Sequence, residues 1–142
     1  MNMLQYVRNL FKEDEKPKPK SVYQEAREKK LACLEEQVSK KENETVQEVR
    51  DKLESLKPEL VEYAAESGKD SKHILNTSDQ CHARDVAFSG NYRKWLASKP
   101  RLCSKLKAMV DDVNESGYPA RVFYREHDRY DYRSCSVGID LS

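Results

Sequence analysis

The chain has 142 residues, room for one domain of ordinary size, and 26 basic against 25 acidic side chains leave a net charge of only +1. Leu, Ile, Val and Phe supply just under a fifth of the residues, at the border between globular and disordered compositions. The absence of any run of about 18 apolar residues argues against a membrane span, and the few glycines and prolines exclude a collagen-like chain. We therefore expect a small core with much solvated helix beside it.

The four cysteines stand far apart, at Cys33, Cys81, Cys103 and Cys135. None of them forms a CxxC pair, and the spacing is not that of a disulfide scaffold. The N-terminus lacks the apolar stretch of a secretory signal. We expect free thiols and a cytoplasmic location.

Residues 1–20 combine a short amphipathic segment with a linker. Leu4, Val7 and Leu10 fall on one helical face, and the alternating lysines and prolines that follow favour an extended chain. Such a segment could dock on a partner or on a membrane surface. We favour the simpler interpretation that it docks on its own domain or frays.

Residues 21–67 have the pattern of a charged helical arm. Ser21 and Gln24 have the spacing of a capping box, which predicts a helix start. The narrow apolar stripe that follows cannot bury itself alone and needs another helix. We interpret this stripe as a homodimer seam, formed by Leu31, Leu34, Val46, Val49, Leu53, Leu56 and Leu60.

The stripe has a register break at residues 39–45, which two geometries explain. A helical hairpin with its turn at 40–45 accounts for the break and for a second capping-box spacing that begins at Thr45. A continuous helix accounts for the lack of Gly and Pro there. We favour a long coiled-coil helix pair slightly. Pro58 predicts a kink or a new helix start.

Residues 68–142 have the composition of a compact domain. Gly68 is a candidate helix C-cap, and an apolar 3.6-residue period predicts a helix over 101–116. The period then changes to two, which predicts a β-hairpin with strands over 121–126 and 130–137. A hairpin alone is marginal in water, so it should pack on the helix and could gain a third strand from a partner. The predicted fold class is α+β, mostly helical.

The segment 84–107 carries seven basic residues against one acidic residue, with aromatic residues interleaved. This pattern suits an acidic protein surface, where Arg and Trp are typical hot-spot residues. It also suits phosphate neutralisation combined with base stacking, and a solvated helix face would look the same. The candidate partner-binding residues here are Tyr92, Arg93, Lys94, Trp95, Arg101 and Lys105.

The hairpin repeats the mixture of arginines and tyrosines. A two-stranded ribbon can enter a major groove, but the acidic residues among these arginines make cross-strand ion pairs the simpler explanation. We therefore favour a structural role or a protein-binding face. Its candidate residues are Tyr124, Arg125 and Tyr132.

Metal binding and catalysis have weaker support. A zinc site would have to use His73, Cys81, His82 and Cys103, but zinc ligands usually come as spaced pairs and Cys81–His82 are adjacent. A nucleophilic cysteine, Cys135 or Cys81, would need a base such as His127 with Asp128. No phosphate-binding glycine loop or HExxH pattern occurs. We expect neither a cofactor nor an enzyme.

The pattern as a whole predicts a non-catalytic interaction protein that binds the surface of a partner protein, in the manner of viral or phage accessory proteins that inhibit a host component. The partner surface is expected to be acidic. A nucleic-acid-binding protein that uses the segment 84–107 is the alternative, and a small Cys/His enzyme or zinc-binding module is a lesser one.

Overall fold

A computed structural model describes residues 19–82, 101–128 and 132–142. The chain divides into two compact units, Met1–Ala32 and Cys33–Ser142. The fold is α+β, as the sequence predicts. The described elements are α1 (Val22–Leu56), a 3₁₀ helix (Lys57–Glu59), α2 (Leu60–Ser67), β1 (Ser71–Ser78), α3 (Leu102–Glu115), β2 (Arg121–Asp128) and β3 (Arg133–Asp140). None of the described helices is both long enough and apolar enough to cross a membrane.

In the first unit, helix α1 begins with the predicted capping box. The Gln24 N–H donates to Ser21 Oγ at 3.2 Å, and the Ser21 N–H donates to Gln24 Oε1 at 3.1 Å. These two bonds satisfy amides that the first turn leaves without helical partners, and a cap of this kind contributes about 1 kcal/mol. Val22 and Tyr23 follow with 85% and 73% of their surfaces exposed.

Helix α1 runs without interruption through residues 40–45, so the hairpin alternative is wrong. The apparent register break arises because Glu42 takes the place of an apolar residue in the stripe. Val38, Glu42, Val49 and Leu53 are the buried residues of this helix, and Glu42 is fully buried. Their spacing of four, seven and four residues is that of a single helical face. Thr45 lies inside the helix, where its hydroxyl donates to the Lys41 carbonyl.

Helix α1 ends at Leu56, and a new helical segment begins around Pro58, where the sequence predicts a kink or a new helix start. Pro58 occupies the start of the 3₁₀ helix, where a missing N–H costs least, and α2 continues from Leu60. Helix α2 then ends at Gly68, which has a φ of 65° and donates its N–H to the Ala64 carbonyl. This left-handed conformation strongly favours glycine.

The three strands form one antiparallel sheet in the order β1-β3-β2. The pairing of β2 with β3 confirms the antiparallel strands predicted near the C-terminus, whereas the third strand comes from this chain. Strand β1 has a register shift between His73 and Leu75, so that neighbouring Ile74 and Leu75 both contact the core. A β-bulge of this kind breaks the two-residue alternation that marks a strand in sequence.

The core lies between the sheet, helix α3 and the helical arm. Its buried apolar residues are Val49, Leu53, Leu60, Ile74, Leu102, Cys103, Leu106, Met109, Val110, Val113, Val122, Cys135, Val137 and Ile139. Residues of the predicted arm and of the predicted C-terminal domain therefore share one hydrophobic core. Burying a leucine such as Leu53, which is 1% exposed, contributes about 2 kcal/mol.

The predicted dimer seam is largely used inside the chain. Val49, Leu53 and Leu60 are core residues, and Val46 and Leu56 pack against that core. Leu31 and Leu34 are half-buried. The apolar stripe over residues 46–60 thus packs against the core of its own chain, and it does not need a helix from a second chain to bury it. The homodimer stays a prediction that these five residues no longer support.

Candidate functional site: the outer face of the sheet

The sheet has two faces of opposite character. On β3, Cys135, Val137 and Ile139 are at most 1% exposed and point to helix α3, and we call this side the core face. The intervening residues point to the opposite side, the outer face. Through the strand register, the outer face consists of Arg121, Phe123, Arg125 and His127 on β2, Ser134, Ser136, Gly138 and Asp140 on β3, and Ser71, His73, Asn76 and Ser78 on β1.

Phe123 lies at the centre of the outer face. It is paired with Gly138 in the register, and its ring covers the position that a side chain at Gly138 would occupy. The guanidinium carbon of Arg125 lies 4.8 Å from the ring centroid, within the range of a cation–π contact. The missing side chain at Gly138 thus leaves room for the Phe123 ring, and the Arg125 guanidinium lies over that ring.

The register separates the charges of the hairpin by face. Arg121 and Arg125 are exposed on the outer face. Glu126 and Asp128 lie on the core-face side, where Arg133 pairs with them at 3.4 and 3.6 Å. These two ion pairs agree with the cross-strand interpretation for Arg133. Among the described residues of the hairpin, Glu126 and Asp128 thus pair with Arg133 and not with the outer-face arginines.

Asp140 is the acidic residue of the outer face. It is paired in the register with Arg121. Hydrogen bonds from the Ser142 hydroxyl and N–H, together with the charge of Arg121, lower the pKa of its carboxyl below the usual value. Asp140 is therefore ionised at neutral pH and reduces the positive charge at the Arg121 end of the face, so that Arg125 carries the less compensated charge.

One tyrosine of the predicted binding set lies on the opposite side of the sheet. Tyr124 is half-buried on the core face, where it packs against the core and donates its hydroxyl to Glu126 Oε2 at 2.7 Å. Burial, followed by this hydrogen bond, raises the pKa of its phenol. Tyr132 is half-buried just before β3. Of the two hairpin candidates that lie within the paired strands, Arg125 is on the outer face and Tyr124 is on the core face.

Arg101 and Lys105 belong to a buried charge cluster at the start of helix α3. Arg101 is 3% exposed and lies 3.5 Å from Glu35 and 3.8 Å from Glu42. Lys105 Nζ lies 3.2 Å from Glu42 Oε1, and Glu42 Oε2 accepts the Leu102 N–H at 3.0 Å. A buried guanidinium cannot contact a partner surface, so Arg101 is better explained as a structural residue.

Helix α3 also receives a cap from the end of β1. Asp79 Oδ1 accepts the Cys103 N–H at 2.9 Å. Glu42 and Asp79 thus supply from a distance the acceptors that Arg101, the residue at the N-cap position, does not provide. Two carboxylates also complement the positive end of the helix dipole.

The candidate catalytic groups are not assembled. Cys135 faces the core, whereas His127 is exposed on the outer face, because adjacent positions of the register point to opposite sides. Cys103 is fully buried against Cys135, and their hydrogen bond together with burial raises the pKa of the Cys103 thiol. A thiol with a raised pKa is a poor metal ligand, which argues against the predicted zinc-ligand role of Cys103.

His82, another candidate metal ligand, anchors the turn after β1 to helix α1. Its Nε2 lies 2.7 Å from Thr45 Oγ1. The Thr45 hydroxyl also lies 3.0 Å from the Lys41 carbonyl oxygen, so this contact ties the turn to the middle of helix α1. The neighbouring Cys81 is exposed. Over residues 19–82, 101–128 and 132–142, no group of three His, Cys, Asp or Glu side chains is arranged to hold a metal ion.

Tyr92, Arg93, Lys94 and Trp95 lie outside the described residues, as does most of the segment 84–107. The sequence interpretation did not select Phe123, Glu42 or Asp79. A phenylalanine two residues before an arginine in a predicted strand was a signal for Phe123. Nothing local marked Glu42 or Asp79, since their partners lie 60 and 24 residues away.

Comparisons with known proteins found no matching family model, no matching curated protein and no matching solved structure.

Proposed function

We propose that this protein is a non-catalytic interaction protein that binds a partner protein through the outer face of its sheet. The observation that carries the proposal is the separation of charge by face. Arg121 and Arg125 are exposed beside Phe123, while the nearby Glu126 and Asp128 lie on the other side with Arg133. An aromatic ring with arginines around it is the composition typical of binding hot spots.

The chemistry of this face defines the partner. Apart from Asp140, the described outer-face side chains around the arginines and Phe123 are those of serines, an asparagine and histidines. An acidic surface that carries an apolar side chain would pair with the arginines and cover the ring of Phe123. Because the arginines are exposed, salt should weaken the association chiefly by slowing encounter.

The test uses the full-length chain in three forms. The wild type, the double variant Arg121→Glu/Arg125→Glu and a control variant Lys52→Glu/Lys107→Glu are immobilised in parallel. Both variants change the net charge equally, but Lys52 and Lys107 are exposed on helices. Proteins retained from the native host are identified by mass spectrometry, and each candidate is then purified and titrated against the three forms.

The proposal expects a purified partner that binds the wild type and the control variant, and binds the outer-face variant at least about tenfold more weakly. Equal binding to all three forms would contradict it. Single-stranded and duplex oligonucleotides are titrated at two salt concentrations in the same series. Steeply salt-dependent oligonucleotide binding that the outer-face variant loses, with no protein partner, would favour the nucleic-acid alternative instead.

A further inference from the structure

Strand β2 is an edge strand of the sheet. It pairs with β3 on one side, and within the described residues no strand pairs with its other side. An edge strand presents a row of main-chain N–H and C=O groups to its surroundings, and these groups can pair with another extended chain.

Asn114 of helix α3 identifies the outward-pointing residues. Its side-chain amide donates to the Val122 carbonyl at 2.8 Å and accepts the Val122 N–H at 3.0 Å. Both main-chain groups of Val122 therefore point away from β3. Because the direction alternates along an antiparallel strand, the N–H and C=O groups of Tyr124, Glu126 and Asp128 point to the same open side.

The Asn114 amide imitates a peptide group and closes the edge at one position. No described residue forms a hydrogen bond with the outward main-chain groups of Tyr124 and Glu126. Alternating donors and acceptors along an extended strand are matched best by another peptide backbone. This chemistry favours a polypeptide over a nucleic acid as the occupant of the edge.

The side chains along β2 define the kind of polypeptide. A strand added to this edge would place every second residue beside the outer face, next to Arg121, Phe123 and Arg125. Acidic residues at those positions would lie opposite the arginines, and opposite-charge cross-strand pairs are favourable. The remaining positions would lie beside Tyr124, Glu126 and Asp128, where neutral residues fit.

We propose that the partner adds an extended segment with acidic residues at alternate positions to the open edge of β2. This inference rests on the proposed function and specifies its binding mode. A second copy of the chain would bring its own Arg121 and Arg125 to the same face, so charge favours an acidic partner segment over self-pairing.

The probe is a synthetic peptide in which glutamate alternates with threonine and valine. One control peptide carries N-methyl groups on alternate amides, which removes the main-chain donors on one side of the extended peptide. Another control peptide has lysine in place of glutamate. The variant Glu126→Pro removes an outward N–H that the sheet does not use, and Glu126→Thr is its matched control because it keeps that N–H. Retained amide protection at Val137 and Ile139 verifies that each variant folds.

The proposal expects the glutamate peptide to bind the full-length wild type and Glu126→Thr, and to slow hydrogen exchange at the Tyr124 and Glu126 amides of the wild type. Glu126→Pro and the N-methylated peptide should each weaken binding about tenfold, because each removes main-chain hydrogen bonds. The lysine peptide should bind more weakly than the glutamate peptide. If Glu126→Pro does not fold, the N-methylated peptide makes the same comparison on the wild type.

Equal affinity for the N-methylated peptide, or unchanged exchange at Tyr124 and Glu126, would overturn strand addition. So would the absence of peptide binding, or concentration-dependent self-association in sedimentation that Glu126→Pro abolishes. The partner protein captured in the first experiment distinguishes failure of the edge mode from failure of the proposed function. If its binding depends on Arg121 and Arg125 but not on Glu126→Pro, the proposed function stands and the edge mode is wrong.

Discussion

The two faces of strand β3 differ in role although their residues alternate along one segment. Cys135, Val137 and Ile139 are almost completely buried on the core face. Ser134 and Ser136 of the outer face are half-buried beside exposed arginines. The comparison shows that one strand can supply the core with one set of side chains and a surface with the other. Stability should therefore depend on one face and binding on the other.

The largest expected effect is on the core face. Ile139→Ala should lower the free energy of unfolding by about 4 kcal/mol, because it removes a fully buried side chain and leaves a cavity. Ser136→Ala on the outer face of the same strand should change it by less than about 0.5 kcal/mol. Chemical denaturation of the two variants measures both values. Similar losses for both would show that the outer face is also packed.

The second-largest effect concerns a buried charged residue, Glu42 of helix α1. Glu42→Ala should cost about 3 kcal/mol, because it removes the acceptor of the Leu102 N–H and the buried carboxylate that pairs with Lys105 and Arg101. Glu48→Ala, at an exposed position of the same helix, is the control. Thermal and urea unfolding would test this, and a loss no larger than that of the control would mean that the cluster contributes little.

One outer-face residue should still affect folding. Gly138→Ala is expected to cost about 2 kcal/mol, because the added methyl group would meet the Phe123 ring and lie 2.9 Å from the Lys72 carbonyl oxygen. Combining it with Phe123→Ala should recover part of the loss, since the ring no longer obstructs the methyl group. A double-mutant cycle by urea unfolding measures the coupling, and strictly additive losses would rule out this contact as the cause.

The smallest effect concerns Tyr124 and alkaline pH. Its phenol has a raised pKa in the folded chain, so above about pH 10 the unfolded chain loses this proton first and stability falls as pH rises. Tyr124→Phe should cost about 1 kcal/mol at neutral pH, through its bond to Glu126, and make the alkaline decline shallower. Denaturation midpoints from pH 7 to 11 measure this.

The alkaline decline should not vanish in Tyr124→Phe, because burial also raises the pKa of Tyr118. Tyr118→Phe is the matched variant, since the Tyr118 hydroxyl donates to the Leu53 carbonyl at 2.6 Å. An unchanged pH profile in Tyr124→Phe would mean that the Tyr124 phenol ionises alike in both states.

Much of the fold could be predicted from local patterns. The capping box at Ser21 and the end of α2 at Gly68 depend on residues a few positions apart. Strand β1 could not be predicted, because the bulge at Ile74 removes the alternation by which strands are recognised. The packing of the predicted seam against the chain's own core could not be predicted either. An apolar stripe shows that a helix needs a partner, but not whether that partner belongs to the same chain.

For the candidate surface too, local features could be predicted from the sequence and long-range contacts could not. The mixture of arginine, tyrosine and acidic residues in the hairpin was visible in sequence, but its separation by face depends on the β2–β3 register. Arg101 looked like a surface residue because nothing near it in the chain reveals that Glu42, 59 positions earlier, lies beside it. Long-range pairs of this kind are formed only by tertiary packing.

The sequence by itself determined where the described helices and the last two strands form, because caps, glycines and periodicity act over a few residues. The tertiary structure alone decided the origin of the third strand, the role of buried Glu42 and which arginines remain exposed. Those features depend on groups far apart in the chain, and their free energies exist only once the elements are packed together.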